Sequence, residues 1–133
     1  MELKLELKPI GFVKSPYHSE APRQGRFSDE VCELIIYPEF ADGLKGIEDC
    51  RHIIVLYWMD KADRKKLRVT PPGEVDEKGV FATRSPSRPN PIGFCVAEII
   101  EVKDNSIKVR WMDALNGSPI IDIKKYSSEI DCV

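Results

Sequence analysis

The sequence predicts an all-β domain: a small closed or nearly closed β-barrel with one or two short helices. Three observations lead there. Short runs of Ile, Val, Leu and aromatic residues recur between Gly, Pro and Asn punctuation, with no sustained helical spacing of apolar positions. The 133 residues suffice to bury one core, so residues 1–133 are read as a single domain. Many short strands with few helices favour closure, which removes exposed sheet edges.

Taken in order, strands are expected at Leu3 to Leu7, where leucines alternate with charges, and at Ile10 to Val13, with Pro9 separating the two because it donates no ladder hydrogen bond. Further strands are expected at Val31 to Tyr37, His52 to Trp58, Val80 to Thr83, Phe94 to Val102, Ser106 to Trp111 and Ile120 to Ile123. The strongest hairpin runs from Val96 to Trp111. Its polar turn, Lys103-Asp104-Asn105-Ser106, contains Asp and Asn, which tolerate left-handed backbone conformations. Ile107, Val109 and Trp111 alternate with Lys108 and Arg110, so one face of that arm is buried and one is wet. Glu39 to Glu48 holds a helical turn or two around Leu44, whereas Asp60 to Leu67 reads equally as a short helix or a solvated loop.

Composition excludes several classes. The net charge of -2 carries no overall basic excess, so a polyanion would have to meet a local patch. The longest apolar run, Ile53 to Met59, is far short of the roughly 20 residues that span a bilayer. The N-terminus has no signal-peptide pattern, and a cytoplasmic location is expected. Cys32, Cys50, Cys95 and Cys132 form no C-x-x-C pair, and His18 and His52 have no spacing partner, so no metal site is expected and the thiols are read as reduced, with Cys32 and Cys95 in the core. No G-x-G, no phosphate-loop motif and no G-x-S-x-G occurs, which removes dinucleotide-fingerprint, P-loop and nucleophile-elbow readings.

Two long loop-like stretches, Ser15 to Ser28 and Asp60 to Gly79, stand out in a compact domain, where such loops are more often functional than accidental. From Lys61 to Arg88 eight basic residues face four acidic ones, and Arg23 and Arg26 add guanidinium forks suited to phosphate or carboxylate. The stretch Gly79 to Gly93 holds three prolines within six positions, which preorganises Arg84, Arg88 and Asn90. Asn116-Gly117 is a strong turn signal before Ser118-Pro119.

An ordered series emerges: Pro9-Ile10-Gly11-Phe12-Val13 with Ser15-Pro16-Tyr17, then Ala21-Pro22-Arg23-Gln24-Gly25, then Ala82-Thr83-Arg84-Ser85 running into Arg88-Pro89-Asn90-Pro91-Ile92-Gly93. Asn116-Gly117-Ser118-Pro119 and Asp122-Ile123-Lys124-Lys125-Tyr126 close it. Over nearly the whole chain this resembles the TrmO family, also called YaeB-like or TsaA-like, of S-adenosylmethionine-dependent tRNA methyltransferases, in its N-terminal barrel domain. Two motifs depart from the family pattern: the last turn reads N-G-S-P where D-G-T-P is usual, and the closing motif reads D-I-K-K-Y where D-I-K-P-Y is usual.

The resemblance implies a β-barrel homodimer that uses S-adenosylmethionine to methylate the exocyclic amino nitrogen of threonylcarbamoyl-adenosine next to the tRNA anticodon. It implies a cofactor pocket drawn from Pro22, Arg23 and Gln24, from Asp60 and Lys61, from Arg84, and from Asn116, Gly117, Ser118 and Pro119. By the chemistry of phosphate contacts, Arg88, Lys65, Lys66 and Arg68 are assigned to the anticodon stem-loop, with Asn90 either reading a base edge or holding the backbone. A general base is not obligatory; Tyr17, Asp113 and Tyr126 are the candidates. Two alternatives stand beside this reading: a non-catalytic S-adenosylmethionine or nucleotide-binding module, and a methyltransferase acting on a small molecule.

Overall fold

A computed structural model of the chain describes residues 2–133. Six strands close an antiparallel barrel: β1 (Gly11–Lys14), β2 (Val31–Ile36), β3 (His52–Trp58), β6 (Ile92–Lys103), β7 (Ser106–Arg110) and β8 (Pro119–Lys125). Around the barrel the order is β1-β2-β7-β6-β3-β8. A separate two-stranded ribbon pairs β4 (Arg68–Val69) with β5 (Lys78–Gly79).

Alternation builds the interior. In β2, Cys32, Leu34 and Ile36 are buried while Glu33 faces outward, and in β7 Ile107 and Val109 are buried on either side of the exposed Lys108. Burying an aliphatic side chain of this kind contributes roughly 1.5–3 kcal/mol. Met112 and Ala114, just past β7, are fully buried in the same core.

Strand β6 has twelve residues because it serves two neighbours. Its first half pairs with β3 from Trp58↔Ile92 to His52↔Glu98, and its second half with β7 as far as Lys103↔Ser106. A bulge between Ile99 and Glu101 bends the strand from one partner to the other, as barrel corners require. The β6–β7 hairpin turns where expected, with Asp104 in the left-handed region at φ 54°.

Three elements differ from the sequence reading. Residues 3–7 form no strand: Leu3 and Leu5 are each 81% exposed, because alternation makes a strand only where a neighbouring edge accepts it. Val80–Ala82 is a 3-10 turn instead of a strand, anchored by the buried Val80, whose N–H donates to Leu67 O. Trp111 is left out of β7 because its φ of 76° breaks the ladder. Helical structure amounts, among the described residues, to four short 3-10 segments and one α-helical turn, α1 (Ser128–Asp131). Two of the 3-10 segments, Pro38–Leu44 and Ile47–Asp49, fall where a turn or two was expected. The 60–67 stretch is loop, and all four cysteines are unbridged, with Cys32 and Cys95 in the core. Among the described residues no helix is long and apolar enough to cross a membrane.

Candidate functional site

The antiparallel register gathers the last residues of β1, β3 and β7 and the first of β2, β6 and β8 at one end of the barrel. Both long loops, the proline-rich segment and the Asn116-Gly117 turn leave from that end. Between them lies an open cleft of about 710 Å³, within the range of roughly 300–1,000 Å³ usual for small-molecule sites.

The cleft's floor is built on Tyr57 and Asp113. Tyr57 is the last inward residue of β3, 4% exposed, and its hydroxyl donates to Asp113 Oδ1. Cys95 Sγ donates to the same oxygen at 3.1 Å, and the Gly25 N–H donates to Oδ2 at 3.1 Å. Burial, reinforced by the neighbouring charge of Asp113, pushes the Tyr57 hydroxyl and the Cys95 thiol well above their ordinary values. Both stay protonated donors across the physiological range, so the Asp113 carboxylate is held in one orientation. Gly93 lets this happen, because a Cβ there would clash with the Tyr57 ring.

Cations rim the cleft. Arg23, Lys61 and Arg84 line it and are exposed, and none has a carboxylate within ion-pair distance among the described residues. Arg84 lies 6.0 Å above the Phe94 ring. Phe94, Ile92 and Leu115 supply an apolar wall. A cleft with unpaired cations at its rim, a fixed carboxylate at its floor and an aromatic wall suits a ligand that carries a carboxylate, a cationic centre and a flat ring.

The residues expected to bind a cofactor separate into two groups. Pro22, Arg23, Gln24, Asp60, Lys61, Arg84 and Ser118 all line the cleft. Asn116, Gly117 and Pro119 do not; they hold the turn. Asn116 Oδ1 accepts the Ser15 N–H at 3.1 Å, Gly117 N donates to Val13 O at 2.7 Å with φ 86°, and Pro119 pairs with Phe12 in the barrel. Even the Ser118 hydroxyl is engaged, donating to Leu115 O at 2.6 Å.

The residues assigned to RNA separate as well. Lys65, Lys66 and Arg68 lie outside the cleft, exposed on the adjoining loop and ribbon, and Arg68 pairs with Glu77 at 3.2 Å. Arg88 lines the cleft, but its guanidinium turns back on its own segment, donating to Ser85 O at 2.7 Å, Val80 O at 3.3 Å and Thr83 O at 3.4 Å. It shapes the loop instead of offering its donors outward. Asn90 lines the cleft, and its Oδ1 accepts from Arg64 Nη2 at 3.5 Å, while Arg64 Nε donates to Pro89 O at 2.8 Å. Arg64 was not singled out in the sequence, yet it ties the basic loop to the proline-rich one.

Of the three proton-acceptor candidates only Asp113 is on the cleft. The Tyr17 hydroxyl shares a hydrogen bond with Ser28 Oγ, and Tyr126 packs edge-on against His52 with ring centroids 6.0 Å apart. Tyr57 and Phe94 carried no motif; the strand register places them beside Ile92 and Leu115. Among the described residues no cluster of His, Cys, Asp and Glu could hold a metal ion.

Comparison with known proteins gives three kinds of match. The family model described as tRNA-methyltransferase O N-terminal domain matches residues 12–132. An S-adenosyl-L-methionine-binding protein of Archaeoglobus fulgidus is 72% identical over 129 residues, covering 96% of this chain and 93% of that protein. A probable S-adenosyl-L-methionine-binding protein of Methanothermobacter thermautotrophicus is 48% identical over 132 residues, covering 98% of this chain and 96% of that one. The crystal structure of TrmO from Pseudomonas aeruginosa superposes with a TM-score of 0.81 at 28% identity, covering 98% of this chain and 60% of that chain. The chain therefore spans about 60% of that solved protein's length.

Proposed function

The chain belongs to the family of the tRNA-methyltransferase O N-terminal domain, and from that premise we propose that it binds S-adenosylmethionine in the cleft and methylates the exocyclic amino nitrogen of threonylcarbamoyl-adenosine beside the tRNA anticodon. The observation that carries the reading is the cleft itself, with unpaired Arg23, Lys61 and Arg84 at its rim above the locked Asp113.

When bound, the cofactor supplies a methyl group already activated by its sulfonium. The protein's work is then alignment, which brings the attacking nitrogen to about 3–3.5 Å from the methyl carbon. Arg23 or Arg84 would hold the methionyl carboxylate, where a forked donor outperforms a point charge. Asp113, fixed by three donors, balances positive charge at the floor without having to reorganise. Asp60 gives a second carboxylate at the rim. Phe94 and Leu115, on the cleft's apolar wall, would hold the adenine. Because Asp113 already accepts three hydrogen bonds, its part is electrostatic and the departing proton goes to water.

Lys65 and Lys66, exposed beside the cleft, meet phosphates of the anticodon stem-loop, which they position without reading sequence. The chain works as a homodimer. Phe81, Phe94 and Ile92, which are 79%, 47% and 40% exposed, supply apolar surface for a second copy at the cleft's edge.

The test is transfer of radiolabelled methyl from S-adenosylmethionine to tRNA bearing threonylcarbamoyl-adenosine, with unmodified tRNA as control. Label on the modified tRNA alone is the expected result. Label on neither, with cofactor binding confirmed by calorimetry, replaces the reading with a binding module or a small-molecule methyltransferase.

A further inference from the structure

One aromatic group, two positions before Asp113 in the chain, stands outside the function just described. Trp111 follows β7 with φ 76°, a left-handed conformation that a bulky side chain rarely adopts and that clusters at functional sites. The strained turn buries Met112 completely in the barrel while leaving the indole partly exposed on the outer wall.

The indole is flanked by planar groups. The His52 ring stacks on it with centroids 5.7 Å apart and planes within 10°. The Arg26 guanidinium sits 3.9 Å from the ring centroid. Arg110 also approaches, at 5.0 Å, but its charge is taken up by Glu98 at 2.9 Å. His52 is held by the same carboxylate, with Nε2 3.5 Å from Glu98 Oε2. Arg26 is different: it is exposed and has no carboxylate within ion-pair distance among the described residues. A solvent-exposed guanidinium over an indole is a weak attachment compared with a nucleobase stacked on the same face.

The position relative to the cleft is set by the loop between β1 and β2. Arg23 and Gln24 line the cleft, Gly25 lies against the backbone of Trp111 and Met112, and Arg26 emerges on the indole side. An adenosine lifted out of an anticodon loop leaves its neighbours unstacked, and those neighbours need new planar partners.

We propose that Trp111, with Arg26 and His52, is a stacking site for an unpaired nucleobase of single-stranded RNA adjacent to the base held in the cleft. The base takes the face now covered by Arg26, and the freed guanidinium turns to the neighbouring phosphate. This rests on the RNA substrate proposed above and extends it to a second contact point.

The experiment uses Trp58→Phe protein, in which Trp111 is the sole indole, titrated with the anticodon stem-loop, with a single-stranded oligoribonucleotide and with AMP. Saturable quenching of Trp111 emission by both RNAs, and little by AMP, is expected. In the wild-type background Trp111→Leu weakens stem-loop affinity about tenfold and leaves S-adenosylmethionine affinity unchanged, while Trp111→Phe recovers most of the loss. Methyl transfer or filter-detected RNA binding without quenching overturns the stacking site alone. Quenching by RNA without methyl transfer supports the stacking site and overturns only the methyltransferase reading. Equal quenching by AMP overturns the assignment to RNA in favour of a free nucleotide. Failure of RNA to bind at all sinks both.

Discussion

The backbone N–H of Gly25 donates to Asp113 Oδ2 at 3.1 Å across 88 positions of sequence. The bond pins the loop that carries Arg23 to the carboxylate at the cleft floor, so one residue sets both the rim and the base of the site. Glycine is required here because a Cβ would meet the Trp111 carbonyl and lie 2.5 Å from Met112 C.

Gly25→Ala therefore displaces the loop and not only the side chain. It should weaken S-adenosylmethionine binding at least tenfold by calorimetry, with a circular dichroism spectrum still that of a β-barrel, since the atoms nearest the new methyl group belong to Trp111 and Met112, just past β7. Wild-type affinity would show that the loop does not form part of the site.

Removing the carboxylate has a different signature. Asp113→Ala leaves the Tyr57 hydroxyl and the Cys95 thiol without an acceptor in the core, a loss of about 1–3 kcal/mol. Tyr57→Phe removes one donor and keeps the ring, and should cost less. Thermal unfolding ranks the two variants, and equal melting temperatures would contradict the network.

The rim and the outer loop should behave as separate units. Arg84→Ala is expected to abolish cofactor binding. Lys65→Ala with Lys66→Ala is expected to leave it intact while weakening tRNA binding and flattening its dependence on salt, because two phosphate contacts are lost. A double variant with the wild-type salt slope would move the RNA surface elsewhere.

Alkaline pH should destabilise the fold. Burial first, then the charges of Glu30 and Asp113, pushes the Cys32 thiol from its ordinary 9.0 up to about 11. The folded state thus holds this proton more tightly than the unfolded chain. The associated stability is fully present below about pH 9 and is lost as pH rises through about 11. The raised Tyr57 and Cys95 groups act in the same sense. Melting temperature should hold level from pH 7 to about 8.5 and then fall, and Cys32→Val should lessen the fall.

Local pattern was enough for most of the barrel. The alternation of β7, the apolar run of β3 and the Asp104-Asn105 turn are decided by neighbours a few positions apart, and each stands where the sequence places it. The same alternation failed at residues 3–7, since a strand also needs an edge to pair with and no local pattern reports one.

Arg23 and Arg84 stand beside glycines and prolines that mark their loops, whereas Lys61 was named through the family resemblance; all three line the cleft. Tertiary structure alone decided the rest. It turned Arg88 inward onto three carbonyls, set Asn116 to holding a turn, and brought Tyr57, Cys95 and Gly25 onto Asp113 from three separate segments. A side chain's donors go to whichever acceptors come within about 3 Å. Spacing along the chain fixes which donors exist, and barrel closure fixes which acceptors they meet.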